Sequence, residues 1–209
     1  GSHPDTRINT DFEHDSRSVS VLLLLDLSES LNDIVEATNQ SILELSQEAV
    51  SLLAWSVEQL GDNFAIAGFN SNTREKVMYY HIKGYSEHWD DTVKARLANL
   101  KAEYSTRMGA AIRHGTHYLN LQKSDKKLML ILTDGEPSDI DVNDSEMLIK
   151  DTHKAVQECQ QKGMYPYCIS LDNKADEYIS DVFGSHYSVI DRIESLPKEL
   201  PQLFLSLTK

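Results

Sequence analysis

At 209 residues, with 40% hydrophobic and 25% charged residues, the chain is long enough to bury one well-formed core and short for two. Its 33 acidic against 20 basic residues leave a formal charge of −13, which repels phosphate backbones and anionic lipid and argues against nucleic acid and membrane surfaces as partners. No stretch approaches the roughly 20 apolar residues that cross a bilayer, and a soluble, cytoplasmic protein is expected.

Gly1, Ser2 and His3 read as the remnant of a cleaved tag, and residues 4–18 as a polar lead-in without sustained period. The domain is therefore expected over 19–209. Residues 19–25 (VSVLLLL) form a nearly continuous apolar run with β-branched residues at its start, the pattern of a strand covered on both faces. Ile42, Leu45, Ala49, Leu52, Leu53 and Leu60 then recur at helical spacing until Gly61 supplies a stop. Residues 63–69 (NFAIAGF) predict a second strand. Residues 76–83 (KVMYYHIK), beyond the turn-prone Asn70-Ser71-Asn72, predict its antiparallel hairpin partner.

A short helix is expected over 88–100. Met108, Ala111, Ile112, Gly115 and Leu119 mark the buried stripe of another, preceded by the polar loop Glu103-Tyr104-Ser105-Thr106. Residues 127–133 (KLMLILT) are again strand-like and end in Asp134-Gly135. The remainder alternates: a helix over 145–162, a strand at 165–170, a short helix near 175–180, a strand at 186–190 and a last helix. That helix carries Leu200, Leu203, Phe204 and Leu207 on one face, with Pro197 and Pro201 marking its beginning. Alternating strands and helices predict an α/β fold with a doubly wound, mostly parallel sheet, one antiparallel edge strand and helices on both faces.

In such a sheet, ligands bind beyond the carboxyl ends of the strands. The first strand delivers Asp26, Ser28 and Ser30 to that edge, the strand at 127–133 delivers Asp134, and the loop before the helix at 107 adds Thr106. Carboxylate and hydroxyl oxygens, with neither sulfur nor histidine in the motif, select a hard cation. Mg²⁺ is the first choice and Mn²⁺ its substitute. In DxSxS a loop leaving a strand can turn every second side chain toward the ion, so Glu29 is expected to point away.

Asp26-x-Ser28-x-Ser30, Thr106 and Asp134-Gly135, in that order and in these strand contexts, resemble the metal-ion-dependent adhesion site of von Willebrand factor A domains. The resemblance covers nearly all of 19–207. It implies that Ser28, Ser30 and Thr106 ligate Mg²⁺ directly while Asp26 and Asp134 act mainly through water, with an acidic side chain of a partner protein in the open position. LLLLDLSES, FAIAGFNS, YSTRMGAAIRHG and LILTDGEPSDID are similar, more narrowly, to the C-terminal domains of bacterial CbbO-like rubisco activation and NorD-like nitric oxide reductase activation proteins. These work beside hexameric MoxR-type AAA+ ATPases. The resemblance implies a non-enzymatic, target-binding part of a larger adaptor, and the DLSES stretch favours rubisco as the target. The family pattern often has Thr where this chain has Leu31, a departure that touches the branch and not the metal donors.

Other readings are weaker. Asp26 at a strand end resembles the nucleophile of haloacid-dehalogenase-type phosphatases, but that family needs an aspartate two residues on, where this chain has Ser28. No GxSxG elbow or GxxxxGK[ST] phosphate loop occurs. An A-type module that docks within its own larger protein without metal control is the alternative from a different class. His114 and His117 are expected to be surface or packing residues. Asp139, Asp141 and Asp144 lack the glycine and closing glutamate of a calcium loop and read as solvated. Cys159 and Cys168 are expected to be buried thiols. Arg107, next to Thr106, is a candidate to hold the incoming carboxylate by a charge-assisted hydrogen bond.

Overall fold

The computed structural model describes residues 18–73, 76–135, 145–172, 174 and 176–209. The chain opens with β1 (Val19–Asp26), makes a 3₁₀ turn at Glu29–Asn32 and a small hairpin, β2 (Ile34–Val35) and β3 (Gln40–Ser41), and enters α1 (Ile42–Leu60). There follow β4 (Asn63–Thr73), β5 (Lys76–Lys83), α2 (Asp91–Ala98), α3 (Met108–Asn120), β6 (Lys126–Thr133) and α4 (Ser145–Gln161). The chain closes with β7 (Tyr165–Ser170), α5 (Asp176–Phe183), β8 (Tyr187–Val189) and α6 (Leu196–Leu207). The main sheet runs β5-β4-β1-β6-β7-β8, and only its β4–β5 pair is antiparallel. The expected fold class is the one observed.

Every residue of β1 is buried. Val21, Leu23 and Leu25 enter one core, and Leu22 and Leu24 the other, as a period of two requires. The first core is closed by α1 and α6, through Ala49, Val50, Leu53, Leu200 and Phe204. The second is closed by α3, α4 and α5, through Met108, Ile112, Ala155, Val156 and Ile179. A capping box starts α1: Glu44 N–H donates to Ser41 Oγ at 3.0 Å, and Ser41 N–H to Glu44 Oε1 at 3.1 Å. Gly61, at φ 76°, ends it.

Sequence pattern and structure part at several places. β4 runs through the predicted turn at Asn70-Ser71, because Ser71 pairs with Val77 and bridges Ser105, and these ladder bonds outweigh local turn propensity. The β2–β3 hairpin carries too little periodicity to be read from sequence. Its return is made at Asn39, φ 56°, whose N–H donates to the Val35 carbonyl at 2.8 Å. Leu52 and Leu60, assigned to the buried stripe of α1, are exposed, since the face toward the sheet is already filled by Leu45, Ala49 and Leu53. Pro201 lies inside α6 and does not mark its start; only Pro197 sits in the first turn. The helix at 88–100 is shorter than expected, starting at the Asp90 cap, whose Oδ1 accepts from Val93 N–H. The polar lead-in, apart from residue 18, lies outside the described residues.

α3 lies on the sheet at glycine distance. A Cβ on Gly115 would come to 2.9 Å from Leu22 Cδ2 and 3.1 Å from Met129 Cε. Overpacking such a contact costs about 1–3 kcal/mol. We therefore expect Gly115→Val to lower unfolding stability by about that amount in urea melts and to displace the start of α3, and with it Thr106. Unchanged stability would show that the α3–sheet contact is loose.

Candidate functional site

The register of β1 against its neighbours builds the site. Asp26 pairs with Phe69 on β4, while Leu25 pairs with Leu132 on β6, so Asp26 and Asp134 emerge at one edge of the sheet. The third segment is tied to that edge by backbone bonds. Leu27 carbonyl accepts from Glu103 N–H at 2.8 Å, and Tyr104 carbonyl accepts from Glu29 N–H at 2.9 Å. Ser71 and Ser105 exchange two bonds, at 2.9 and 3.0 Å. These four bonds deliver Thr106 to Asp26.

The Thr106 hydroxyl faces both Asp26 oxygens, at 3.0 and 3.1 Å. Ser28 N–H donates to Asp26 Oδ1 at 3.0 Å. The Ser28 and Ser30 hydroxyls are 3.2 Å apart, and Ser28 Oγ reaches Asp134 Oδ1 at 3.5 Å. All five residues named from sequence are thus joined in one hydrogen-bonded cluster, with Asp134 also bonded by Ser30. Glu29 and Ser30 are both exposed, while Ser28 is buried. Arg107 is half-buried immediately ahead of α3 and makes no side-chain cap bond to it.

Sequence reasoning missed Thr133. Its hydroxyl donates to Asp26 Oδ2 at 2.8 Å and accepts from Gly135 N–H at 3.3 Å, so it both orients the first aspartate and shapes the turn that follows the second. A hydroxyl one residue before Asp134, at the end of an otherwise apolar strand, was the available signal. Asp33 and Asp172 also lie close enough to act on Asp134, the latter from the end of β7 beside β6.

Both carboxylates have their proton affinity raised, Asp26 in part by Asp134. Burial first and Asp134 second push Asp26 up to about 6, against the pull of Thr133, Ser28 and Thr106. Burial also raises Asp134, with Asp33 and Asp172 adding to it and the Ser30 hydroxyl opposing. Among the described residues no three His, Cys, Asp or Glu side chains come together as a metal cluster. The donors on hand are two carboxylates and hydroxyls, with no nitrogen or sulfur. That chemistry fits a hard divalent cation.

The remaining candidates take ordinary roles. The His114 ring packs on Tyr79 with centroids 4.1 Å apart, and His117 is exposed. Cys159 and Cys168 are buried free thiols. Asp139, Asp141 and Asp144 lie outside the described residues. No helix among the described residues is long and apolar enough to cross a membrane. A cavity of about 400 Å³ opens at the opposite edge, beside Val19, Lys127, Met164 and Leu207, away from the carboxylates.

Residues 20–192 match the von Willebrand factor type A domain family. Protein NorD of Brucella melitensis is 33% identical over 208 residues, 99% of this chain and 32% of that protein. Protein NorD of Stutzerimonas stutzeri is 34% identical over 175 residues, 83% of this chain and 28% of that one. The chain thus spans about a third of the length of these curated relatives. Among solved structures, the PilB minor pilin of Streptococcus sanguinis superposes with a TM-score of 0.74 at 14% identity, over 92% of this chain and 61% of the pilin, a likeness of fold alone.

The raised Asp26 gives a signed expectation for the metal-free protein. Its folded pKa lies above the unfolded value of 3.8, so its contribution to stability is fully present below about pH 4 and is lost as the pH rises through about 6. In EDTA, Asp26→Asn removes that loss. The stability of the variant relative to the parent should therefore rise by up to about 3 kcal/mol between pH 4 and pH 7. Denaturant melts across this range check it, and a difference independent of pH refutes the buried-charge account.

Proposed function

The chain belongs to the von Willebrand factor type A family, and on that premise we propose that it is a Mg²⁺-dependent protein-recognition domain of an activation adaptor. The observation that carries the reading is the convergence of Asp26, Ser28, Ser30, Thr106 and Asp134 on one sheet edge, around buried negative charge. Ser28, Ser30 and Thr106 would hold the ion directly and Asp26 and Asp134 through water, with Mn²⁺ as a substitute. Bound there, the ion supplies a Lewis-acidic position for one more oxygen ligand.

That ligand is an Asp or Glu side chain of a target protein. The cavity beside Asp26, Thr133 and Asp134 has a volume of about 10 Å³, room for a water and not for a small substrate, while Ser30 is exposed, which suits attachment of a macromolecular carboxylate. The reading is recognition and not catalysis: the Thr106 and Thr133 hydroxyls donate to Asp26 and serve to position its carboxylate for an ion. Arg107, beside Thr106, is placed to meet the incoming carboxylate.

Two near-full-chain and long matches carry the name NorD, so nitric oxide reductase comes first as the activated target and rubisco second, the reverse of the order that the DLSES stretch suggests. In either case the remodelling work falls to a partner MoxR-type AAA+ hexamer in the cytoplasm. The excess of 33 acidic over 20 basic residues speaks against nucleic acid and membrane partners.

An ion at 100 times its dissociation constant adds roughly 2.7 kcal/mol. Each kcal/mol moves the midpoint of a domain this size by about 2–4 °C. Millimolar Mg²⁺ should therefore raise the melting midpoint by several degrees, and Ser28→Ala should abolish the shift while leaving the EDTA midpoint nearly unchanged; Thr106→Ala should abolish it too and also lower the EDTA midpoint, because it removes a donor to buried Asp26. On immobilised domain, nitric oxide reductase subunits should be retained with Mg²⁺ and released by EDTA. Retention of purified rubisco alone would move the protein to the sister branch. No Mg²⁺ shift in the unmutated domain would sink the metal reading and favour a module that docks without metal control.

A further inference from the structure

Tyr104 is one of two non-glycine residues at positive φ in the described chain, at 64°. Bulky side chains rarely adopt that conformation. It is imposed from both sides: Glu103 N–H is held by the Leu27 carbonyl, the Tyr104 carbonyl by Glu29 N–H, and Ser105 by two bonds to Ser71. Glycine would keep all four bonds without the steric conflict, because none of them uses the side chain. Nor does burial compensate, for the residue remains 43% exposed. A strained backbone carrying a large exposed ring, two residues from Thr106, is a feature that the fold itself does not need.

Four residues beyond Ser30 stands Ile34, 60% exposed, on the segment that follows Ser28 and Ser30. The two segments are laced together, with Glu29 N–H on the Tyr104 carbonyl and Asn32 Nδ2 donating to the Ala102 carbonyl at 2.9 Å. Exposed carboxylates, Glu29, Asp33 and Glu103, surround these side chains, with Lys101 exposed and Arg107 half-buried on the Thr106 loop. These acids outnumber the two cations, so an incoming segment with several acidic residues would meet net repulsion away from the ion and Arg107.

We infer that Tyr104 and Ile34 are the apolar shoulders of the recognition site, contacting apolar side chains that flank the partner's single metal-directed carboxylate. The inference rests on the reading of the preceding subsection and deepens it. The partner is a protein segment in which Asp or Glu is bordered by residues such as Leu or Phe and not by further acids. Strain at Tyr104 is retained because a large ring at that point gives contact area that glycine cannot.

The test uses the domain, Tyr104→Gly, Tyr104→Asn as a second variant that tolerates the same backbone, and Ile34→Ser. The probes are short neutral peptides with one central glutamate, flanked either by Leu and Phe or by Ser. With Mg²⁺, the unmutated domain should retain the Leu/Phe-flanked peptides over the Ser-flanked ones, and each variant should lose roughly fivefold or more of that retention. In melts, Tyr104→Gly should raise the midpoint by about 2–4 °C as the strain is relieved. The Mg²⁺-induced shift should be the same in all four proteins.

Equal retention by parent and variants, or a midpoint that falls in both Tyr104 variants, overturns the inference and leaves the metal reading standing. A domain that responds to Mg²⁺ but retains no glutamate peptide likewise overturns it. A domain that neither responds to Mg²⁺ nor retains any peptide overturns the metal reading, and this inference with it.

Discussion

The structure turns on one buried carboxylate. Asp26 is 2% exposed at the end of the central strand, where an unsatisfied charge would be costly. Three donors from three segments answer it: Ser28 N–H from its own loop, the Thr106 hydroxyl from the loop before α3, and the Thr133 hydroxyl from the neighbouring strand. Each donor is useful only if its segment is in register with β1. The carboxylate therefore acts as a gauge of the whole edge, and a site assembled around it inherits the rigidity of the sheet.

That rigidity comes from packing on both faces. Leucines alternating into two separate cores prevent β1 from rotating or slipping, because a slip of one residue would exchange the two sets. Gly115 lets α3 close directly onto Leu22 and Met129, and α3 starts just beyond Thr106. Burial free energy spread over β1, β6 and α3 thus appears at the site as positional accuracy. That accuracy is costly in the absence of a cation, since Asp26 is held buried and beside the charge of Asp134.

The elements that could be read from sequence were those whose periodicity is enforced by burial. β1, β6 and α3 have unbroken apolar patterns, and the five polar residues at their ends converged as the topology of a parallel sheet requires. What escaped reading was set by contacts between distant segments. Asn70 and Ser71 look like a turn until Ser105 arrives to extend the ladder. Leu52 matches the helical period yet faces out, because periodicity marks a stripe broader than the sheet can cover. Thr133 passed as the last residue of a strand, since nothing local shows that Asp26 stands beside it. Tyr104 gave no warning at all: its left-handed backbone is dictated by bonds to Leu27, Glu29 and Ser71, each many residues away.

These features divide the work of the edge between two kinds of group. Buried Asp26, half-buried Asp134 and the two threonines that hold Asp26 set where a cation would sit. Tyr104, Ile34 and the exposed carboxylates lie outside that shell on the same loops, free to vary in chemistry without disturbing it. A fold arranged in this way can keep one mode of attachment, a carboxylate on an ion, while the choice of partner is made by the residues around it. An attachment of that kind would let domains of one fold serve different targets, with the surrounding residues the place where such targets are told apart.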